Sequence, residues 1–492
     1  MSSLADQAAA VKAAAQSKEH RRSSGNISTA SSQGSLTQRR ASRRGSSGKP
    51  SPDMWSNSSS ASVGLLPGRR TFGPLFLMLT CPIAVVVVIY ILTERNGSIT
   101  LFVDDLFEDG LLETFSLLWR SPFEWAVWKL ILAFMMLQLV LMVIVPGRQH
   151  KGPLTSTGYT PVYTANGFQV YIITLSTYGA GAWFGYYKAG FLYDNIGKII
   201  STMNIFALVL CVVLYLKGLY RPSSSDSGSS GNPIFDFYWG TELYPSIGGI
   251  NVKQWTNCRL GMMFWPLYVI SCMFKQREVF GHISSAMAVN VGLQLVYLSK
   301  FFWWETGYFA TIDIMHDRAG FYIVWGILVW LPTIYTSHST YLVLEPSDLG
   351  IFTSLSLTAA GFACIYFNYD ADAQRAYFRA KNGLCKIWGN DPYFIEAKYR
   401  TESGESKSSL LLGSGYWGMA RHFNYLTEIG ASAAWTLPVW TSNALPYFYV
   451  PYLTLLLFDR AARDDARCKS KYGKYWDKYC KKVPYLIIPH IY

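Results

Sequence analysis

The sequence predicts an all-α membrane protein, a bundle of about ten transmembrane helices preceded by a disordered N-terminal tail. Half of the 492 residues are hydrophobic and only 15% are charged, against roughly 25% in an average soluble domain. Several apolar runs approach or exceed the roughly 20 residues that cross a bilayer. These runs are continuous rather than alternating, which excludes a transmembrane β-barrel.

Residues 1–70 form the predicted tail, which is Ser-rich and too poor in apolar residues to bury a core. Eleven Lys or Arg residues face three acids, so this segment carries +8 of the formal net charge of +12. Its Arg-Arg-x-Ser segments at 21–24, 39–42 and 43–46 suit either phosphorylation or contact with anionic lipid. Because the C-terminal segment 459–492 is also basic, both termini are predicted to be cytoplasmic and the number of spans even.

The predicted membrane domain covers residues 71–492. Its clearest spans are 75–92, 125–145 and 199–216, whereas the segments near 351–369 and 430–458 are shorter or more polar. Three polar connections interrupt the apolar sequence, at 146–167, 221–257 and 379–409. A flexible linker does not need aromatic residues such as Trp239. The second half of 221–257 is therefore expected to fold against the spans.

Several classes of site are excluded or disfavoured. The eight cysteines and seven histidines are scattered, which predicts neither a disulfide framework nor a metal site. Gly179, Gly181 and Gly185 resemble a dinucleotide fingerprint, but their spacing is wrong and no strand precedes them. No Walker A sequence is present, and no nucleic-acid partner is predicted. Any nucleotide must therefore be held without a Rossmann fold.

Two clusters of cations and aromatic rings occur in the last quarter of the chain. In the first, Arg375 and Arg379 are four residues apart and share a helix face. The second lies in the stretch "GSGYWGMARHFNYLTE", residues 413–428. If it is helical from Trp417, one face carries Trp417, Arg421, Asn424, Tyr425 and Glu428.

A third cluster follows within "FDRAARDDARCKSKYGKYWDKYC", residues 458–480. Its spacing places four ionisable residues on one helical stripe, with Arg463 beside it and three aromatic residues following: Arg460, Asp464, Arg467, Lys471, then Tyr472, Trp476 and Tyr479. The alternative is an amphipathic helix on anionic lipid, which Asp464 and Asp465 disfavour. Together, the cations and flat rings suit NADPH, whose additional phosphate favours several arginines, better than S-adenosylmethionine, which has no phosphate.

A fourth constellation contains Glu305, Asp313, His316 and Asp317 within an aromatic, largely apolar region. Acids in such surroundings are candidates for proton transfer. A polar loop between two spans explains them equally well, and both interpretations stay open.

Long motifs across residues 70–492 resemble the membrane sterol reductases of the Δ14-, Δ7- and Δ24(28)-type. They are "SGYWGMARHFNYLTE", "TIDIMHDRAGFYIVWGILVWLP", "NCRLGMMFW" and "LPYFYVPYLTLLLFDRAARDDARCKSKYGKYWDKYCKKVPYLIIPHIY". "GNPIFDFYWGTELYP" and "HDRAGFYIVWG" favour the Δ7 branch, particularly its plant type.

This resemblance implies a multi-pass protein of the endoplasmic reticulum that reduces the C7–C8 double bond of Δ5,7-sterols with NADPH. Its sterol would come from the bilayer, and contacts with other sterol-biosynthesis enzymes are a further expectation. Tyr297 and Tyr479 match tyrosines that face the sterol, and with Asp464 they are the predicted catalytic residues. The implied cofactor pocket within 370–492 contains Arg375, Arg379, Trp417, Arg421, His422, Asn424, Tyr425, Arg460, Arg463, Asp464, Lys471 and Tyr472.

The sequence departs from the family pattern at several positions. Arg375 stands where lysine is usual, Thr427-Glu428 replaces Gly-Asp, and Ile327 replaces an aspartate. The loss of that aspartate leaves the proton donor open. The alternatives are a sterol Δ14-reductase, a non-catalytic sterol-binding protein and a membrane methyltransferase, although Phe423 replaces the proline of the methyltransferase motif.

Overall fold

The computed structural model describes residues 68, 70–120, 122–152, 155, 159–400, 406–441 and 443–492. Nearly all of the predicted tail, including its Arg-Arg-x-Ser segments, lies outside these residues. The described chain is mostly helical, in agreement with the predicted fold class.

The N-terminal half contains helices of very different lengths, joined by short turns and two hairpins. In order they are α1 (Phe72–Glu94), α2 (Ile99–Glu108), α3 (Leu111–Leu118), α4 (Trp125–Ile144), α5 (Gly167–Trp183), α6 (Phe191–Asp194), α7 (Ile196–Tyr220) and α8 (Pro233–Trp239).

The C-terminal half is helical as well, and two of its helices continue from π-helical segments. Gln254–Gly261 runs into α9 (Met262–Phe280), and Phe321–Trp330 runs into α13 (Leu331–Ile334). The other helices are α10 (Ser285–Trp303), α11 (Glu305–Tyr308), α12 (Ile312–Met315), α14 (Ser337–Leu344), α15 (Ile351–Ala380), α16 (Tyr416–Met419), α17 (Phe423–Thr436), α18 (Tyr449–Tyr472) and α19 (Lys474–Lys482).

Small antiparallel hairpins occupy parts of the three polar connections, and the all-α prediction missed them. They pair β1 (Arg148–Lys151) with β2 (Val162–Ala165), β3 (Ser246–Ile247) with β4 (Ile250–Asn251), and β5 (Phe394–Arg400) with β6 (Ser406–Leu412). In the longest hairpin, Phe394 lies opposite Leu412. The prediction that the second half of 221–257 folds against the spans is confirmed, because Trp239 and Tyr244 are buried.

Within the described residues, four helices are long and apolar enough to cross a membrane: α1, α4, α7 and α15. Buried polar contacts fix these helices to the rest of the bundle. Asn204 on α7 donates to the carbonyl of Pro82 inside α1 at 2.8 Å and accepts from the Trp325 indole at 2.8 Å. The remaining predicted spans are shorter or more polar, so the span number of about ten stays a prediction.

The two π-helical segments cross at a glycine. A Cβ atom added to Gly261 would lie 2.5 Å from the carbonyl oxygen of Ile327, closer than any side chain tolerates. Glycine is therefore required for this close approach. The crossing positions the second segment, which carries Tyr322 and Trp330 toward the candidate site.

A buried ion pair joins the first π-helical segment to α11. Arg259 and Glu305 are 0% and 2% exposed and form a salt bridge. The guanidinium also donates to Asn166 at 2.7 Å, and the backbone N–H of Gly167 donates to the Glu305 carboxylate at 2.9 Å. The charges are thus compensated by a network that also fixes the start of α5.

Replacing Glu305 by glutamine should therefore destabilise the protein strongly. Loss of the carboxylate leaves the Arg259 charge buried without compensation, which costs about 3–5 kcal/mol. Glu94→Gln is the matched control, since its pair with Arg120 is 42% and 47% exposed and is worth about 0–1 kcal/mol. Denaturant unfolding in detergent micelles measures both values. Equal losses for the two variants would contradict the structural role assigned to the buried pair.

Candidate active site

Three arginines of α18 contact the segment that contains Asp313, His316 and Asp317. Arg460 Nη2 lies 2.5 Å from Asp313 Oδ1, and Arg463 Nη1 lies 2.8 Å from Asp317 Oδ1. One turn further along, Arg467 Nη1 contacts the Nε2 atom of His316 at 2.6 Å. We refer to Arg460, Arg463 and Arg467 as the arginine ladder. The third and fourth sequence clusters, which were predicted as separate features, are therefore two sides of one interface.

Asp464 lies on the same helix and faces α17. Its carboxylate forms an ion pair with Arg467 and lies 3.7 Å from His422 Nε2. His422 is buried, stacks on Tyr425 with ring centroids 4.8 Å apart, and leaves Nε2 without a hydrogen bond. Burial lowers the pKa of His422 from its ordinary 6.5 to about 4, against the opposing effect of Asp464. His422 is thus neutral at pH 7 and stands beside a carboxylate that is already paired.

The helix predicted to run from Trp417 through Glu428 is interrupted, so that prediction was wrong. Helix α16 ends at Met419, Ala420 is extended with φ −152° and ψ 153°, and α17 begins at Phe423. The reason is non-local pairing: the N–H groups of Arg421 and His422 donate to the carbonyls of Tyr485 and Leu486 at 3.0 and 2.8 Å. The C-terminal segment thereby satisfies donors that a continuous helix would have satisfied internally.

The first and second clusters meet despite this break. The Arg375 guanidinium lies 3.8 Å from the centre of the Trp417 ring, within cation–π range. Asp372 receives hydrogen bonds from Arg375 at 2.8 Å and from Asn424 at 3.3 Å. The Trp417 indole donates to the Ala371 carbonyl at 2.7 Å. Trp417, Arg375 and Asn424 therefore form one surface between α15, α16 and α17.

Two further cations from the sequence analysis are exposed near this surface. Arg379 ends α15 and interacts electrostatically with Tyr472 and Asp464. Lys471 lies 4.3 Å from the ring centre of Tyr399 and 5.2 Å from that of Tyr472. Within the part of the chain that the structure describes, neither cation lies within ion-pair distance of a carboxylate. Both are available to bind an anionic group.

Tyr479 performs a packing role in this structure. Its hydroxyl donates to the carbonyls of Leu412 and Trp417 at 3.0 and 3.1 Å, and the side chain is 4% exposed. It therefore fastens the end of β6 to α16. In the described ranges no hydrogen bond or ring contact joins Tyr479 to Tyr297, the other predicted catalytic tyrosine.

Tyr297 contributes its hydroxyl to a polar chain between three helices. The hydroxyl donates to Glu428 Oε1 at 2.5 Å, and the other carboxylate oxygen accepts from Asn368 at 3.0 Å. Asn368 in turn accepts from the Lys300 ammonium at 2.7 Å. Lys300 and Asn368 were not among the predicted site residues, although polar residues inside largely apolar helices often mark a site.

Tyr297 is one of five tyrosines that all interact electrostatically with Arg460. They share partial burial and come from distant elements: Tyr297, Tyr322, Tyr335, Tyr425 and Tyr452. We refer to them as the tyrosine chamber. Their rings belong to a packed aromatic group in which Trp330 contacts Tyr452 at 5.1 Å and Trp435 contacts Tyr297 at 5.3 Å.

Arg460 connects the chamber to the arginine ladder. Tyr335, Tyr425 and Tyr452 all interact electrostatically with this guanidinium, and Arg463 donates to the Tyr322 hydroxyl at 3.4 Å. The tyrosine chamber therefore combines packed aromatic rings with a phenol that is hydrogen-bonded to a carboxylate on one side and a paired arginine on the other. Among the described residues, no group of three or more His, Cys, Asp or Glu side chains is placed to hold a metal ion.

These features define a mostly helical membrane protein with a buried ionisable site between its C-terminal helices. The model of the ergosterol biosynthesis ERG4/ERG24 family matches residues 74–492, and the chain belongs to this family. The resemblance to the membrane sterol reductases is thereby confirmed.

Individual relatives cover most of the chain. It is 49% identical over 419 residues to the 7-dehydrocholesterol reductase of Arabidopsis thaliana, covering 85% of this chain and 96% of that protein. Identity to the 7-dehydrocholesterol reductase of Danio rerio is 33% over 435 residues, with coverage of 85% and 91%. The Delta(14)-sterol reductase of Methylotuvimicrobium alcaliphilum is 36% identical over 375 residues, with coverage of 76% and 84%.

The lowered pKa of His422 predicts a specific dependence of stability on pH. The unfolded chain binds a proton at this histidine below pH 6.5, whereas the folded protein binds it only near pH 4. The contribution of neutral His422 to the free energy of unfolding is therefore fully present above pH 6.5. It decreases as the pH falls to 4, by roughly 3 kcal/mol at about 1.4 kcal/mol per pKa unit.

His422→Phe keeps an aromatic ring on Tyr425 and removes the titration. Between pH 7 and pH 4 the wild type should lose about 3 kcal/mol more unfolding free energy than this variant. Denaturant unfolding at a series of pH values measures the difference. Parallel stability curves for the two proteins would show that His422 is not buried in its neutral form.

Proposed function

We propose that this chain reduces the C7–C8 double bond of Δ5,7-sterols such as 7-dehydrocholesterol, with NADPH as the reductant. The observation that carries the proposal is the Tyr297 hydroxyl, hydrogen-bonded to Glu428 at 2.5 Å within an aromatic chamber. It provides a hydroxyl that is held in place among aromatic rings, and we take this hydroxyl as the proton donor. Relatives named 7-dehydrocholesterol reductase support the choice of double bond.

The reaction needs an acid because a 5,7-diene has no carbonyl to activate it toward hydride. Protonation at C8 leaves a cation at C7, which is allylic to the remaining double bond. Tyr297 is the proposed source of this proton, and its hydroxyl, which donates to Glu428 in this structure, turns toward C8 when it reacts. The rings of Tyr322, Tyr335 and Tyr452 supply faces that stabilise a cation. When bound, NADPH supplies the hydride that C7 accepts.

Three observations support a fit between the C-terminal pocket and NADPH. Exposed Arg379 and Lys471 suit phosphate groups. The Arg375–Trp417 surface, with Tyr425 nearby, suits a flat heteroaromatic ring. Buried polar atoms of four predicted site residues also lack hydrogen-bond partners: Arg421 Nε, His422 Nε2, Asn424 Oδ1 and Arg460 Nε. A bound polar ligand would satisfy such atoms.

The remaining predicted pocket residues are better suited to forming its walls. Arg460, Arg463 and Asp464 are already engaged in ion pairs, so their charges are largely compensated. Tyr472 supports the Lys471 side chain, and Arg421 binds the C-terminal segment through the Val483 carbonyl. We therefore assign Asp464 and Tyr479 positioning roles rather than a direct role in proton transfer.

The proposal places the protein in the endoplasmic reticulum membrane, with about ten spans and both termini in the cytoplasm. Residues 71–492 would form one reductase domain, with the cofactor pocket in 370–492. The apolar surfaces of α1, α4, α7 and α15 support membrane residence. Sterol would reach the chamber from the bilayer, where other sterol-biosynthesis enzymes would be its neighbours.

Reduction of a Δ14-sterol is the second candidate function. It is favoured by the 36% identity to the Delta(14)-sterol reductase of Methylotuvimicrobium alcaliphilum. The same proton donor and hydride source would serve either bond, so the position of the sterol in the chamber decides between them.

Microsomes that contain the full chain should convert 7-dehydrocholesterol to cholesterol when NADPH is added. We expect little product from a Δ14-sterol, because the chamber must present C8 rather than C15 to Tyr297. Gas chromatography with mass spectrometry measures both products. Microsomes without the chain are the control, and exclusive reduction of the Δ14-sterol would replace the proposed substrate with the second candidate.

Arg379→Leu tests the proposed phosphate contact. Removal of one charged hydrogen-bond donor should raise the KM for NADPH about 10–100-fold, with kcat nearly unchanged because the residue is remote from the reacting carbons. Arg277→Leu is the matched control, since Arg277 is also an exposed arginine near the end of a helix. Steady-state kinetics at saturating sterol measures both constants. An unchanged KM in Arg379→Leu would remove this residue from the pocket.

A further inference from the structure

We propose that Lys300 is a positioning residue for the proton transfer, since its ammonium group offsets the negative charge that Tyr297 acquires on losing its proton. This inference rests on the proposed function and deepens it. It concerns a residue that neither the motifs nor the predicted pocket included.

Lys300 contacts the Tyr297 ring directly and is linked to Glu428 through Asn368. It lies one helical turn after Tyr297 on α10, and its Nζ atom is 4.6 Å from the centre of the Tyr297 ring. The same Nζ atom donates to Asn368 Oδ1 at 2.7 Å, and Asn368 Nδ2 donates to Glu428 at 3.0 Å. The ammonium thus reaches the phenol directly and the carboxylate through one amide.

The hydrogen-bond partner of Lys300 is neutral, so it does not cancel the positive charge of the ammonium group. Asn368 offers Lys300 a neutral amide oxygen, and among the residues described no carboxylate forms a direct ion pair with Lys300. An ammonium in a largely apolar helix is costly, and here one amide and one aromatic face compensate it. The positive charge therefore acts on the group that lies beneath it, the Tyr297 ring.

Lys300 changes the net charge around Tyr297 during the proton transfer. Before the transfer, the ammonium and the Glu428 carboxylate sum to zero. The Tyr297 O–H bond then breaks, the C7=C8 electron pair forms a C–H bond at C8, and a phenolate remains until water returns a proton. Without Lys300, this phenolate would form 2.5 Å from an uncompensated carboxylate oxygen, and like charges at that distance strongly oppose ionisation.

Other charged groups act on this network from neighbouring helices. Asp372 of α15 and Glu428 of α17 both act on the Lys300 ammonium. Arg460 of α18 acts on Tyr297 but is paired with Asp313. Asp372 is itself paired with Arg375, so removal of Lys300 leaves the Glu428 carboxylate as the uncompensated charge beside the phenol.

The test uses the full chain in detergent–lipid micelles with 7-dehydrocholesterol and NADPH. Lys300→Gln keeps a hydrogen-bond donor for Asn368 and removes the charge, whereas Lys300→Arg keeps both. We expect Lys300→Gln to lower kcat about 10–100-fold with a KM for sterol near the wild-type value, because only the general-acid step is impaired. Its solvent deuterium isotope effect on kcat should exceed that of the wild type, and Lys300→Arg should restore most of the turnover.

Lys198→Gln is the control, because Lys198 pairs with Glu124 away from the chamber. Wild-type kcat in Lys300→Gln would overturn the inference. So would a low kcat in both Lys300 variants with an unchanged isotope effect, since that pattern indicates a structural role. If Lys300→Gln does not fold, Lys300→Arg decides alone: near-wild-type kcat supports the inference, and a tenfold or greater loss opposes it.

A failure of the proposed function would give a different kinetic result from a failure of the inference about Lys300. Tyr297→Phe should abolish most turnover while preserving NADPH binding. If that variant keeps full activity, or if the wild type does not reduce the sterol, the proposed proton donor or substrate is wrong irrespective of Lys300.

Discussion

Charge burial where α18 meets residues 312–317 is the constraint on which the rest of the site depends. Arg463 and Asp317 are 3% and 1% exposed, and an unpaired charge at that depth would cost several kcal/mol. α18 can therefore dock only where its arginines reach these acids. Once the ladder is formed, the helix also fixes Asp464 against His422 and carries Lys471 to the exposed end of the proposed pocket.

The same helix brings the two halves of the proposed chemistry together. Arg460 acts on the tyrosines of the chamber, whereas Arg467 and Asp464 lie toward α17 and the cation-rich pocket. Addition of a proton and a hydride across one double bond requires both donors within reach of neighbouring carbon atoms. A single rigid helix that contributes side chains to both proposed sites meets this requirement better than a loop could, because its side chains keep fixed separations.

Helical periodicity predicted the features that depend on local spacing. The stripe from Arg460 to Lys471 and the pair Arg375 and Arg379 do lie on single helices, α18 and α15. Periodicity failed at Ala420, where distant carbonyls of Tyr485 and Leu486 compete for the backbone donors. Periodicity also could not predict the tyrosine chamber, because its members lie on four separate helical segments and the turn at Tyr335, and only tertiary packing brings them together.

The departure at Thr427-Glu428 is explained by the same tertiary packing. Thr427 donates its hydroxyl to the Asn424 carbonyl at 2.9 Å within its own helix, so a side chain larger than glycine is accommodated without an unpaired polar group. Glu428 is one methylene longer than the aspartate usual at this position. The longer side chain allows the Glu428 carboxylate to accept hydrogen bonds from Tyr297 on α10 and from Asn368 on α15 at the same time. The longer acid therefore ties three helices together at the proposed proton donor, which makes its length part of the active-site geometry.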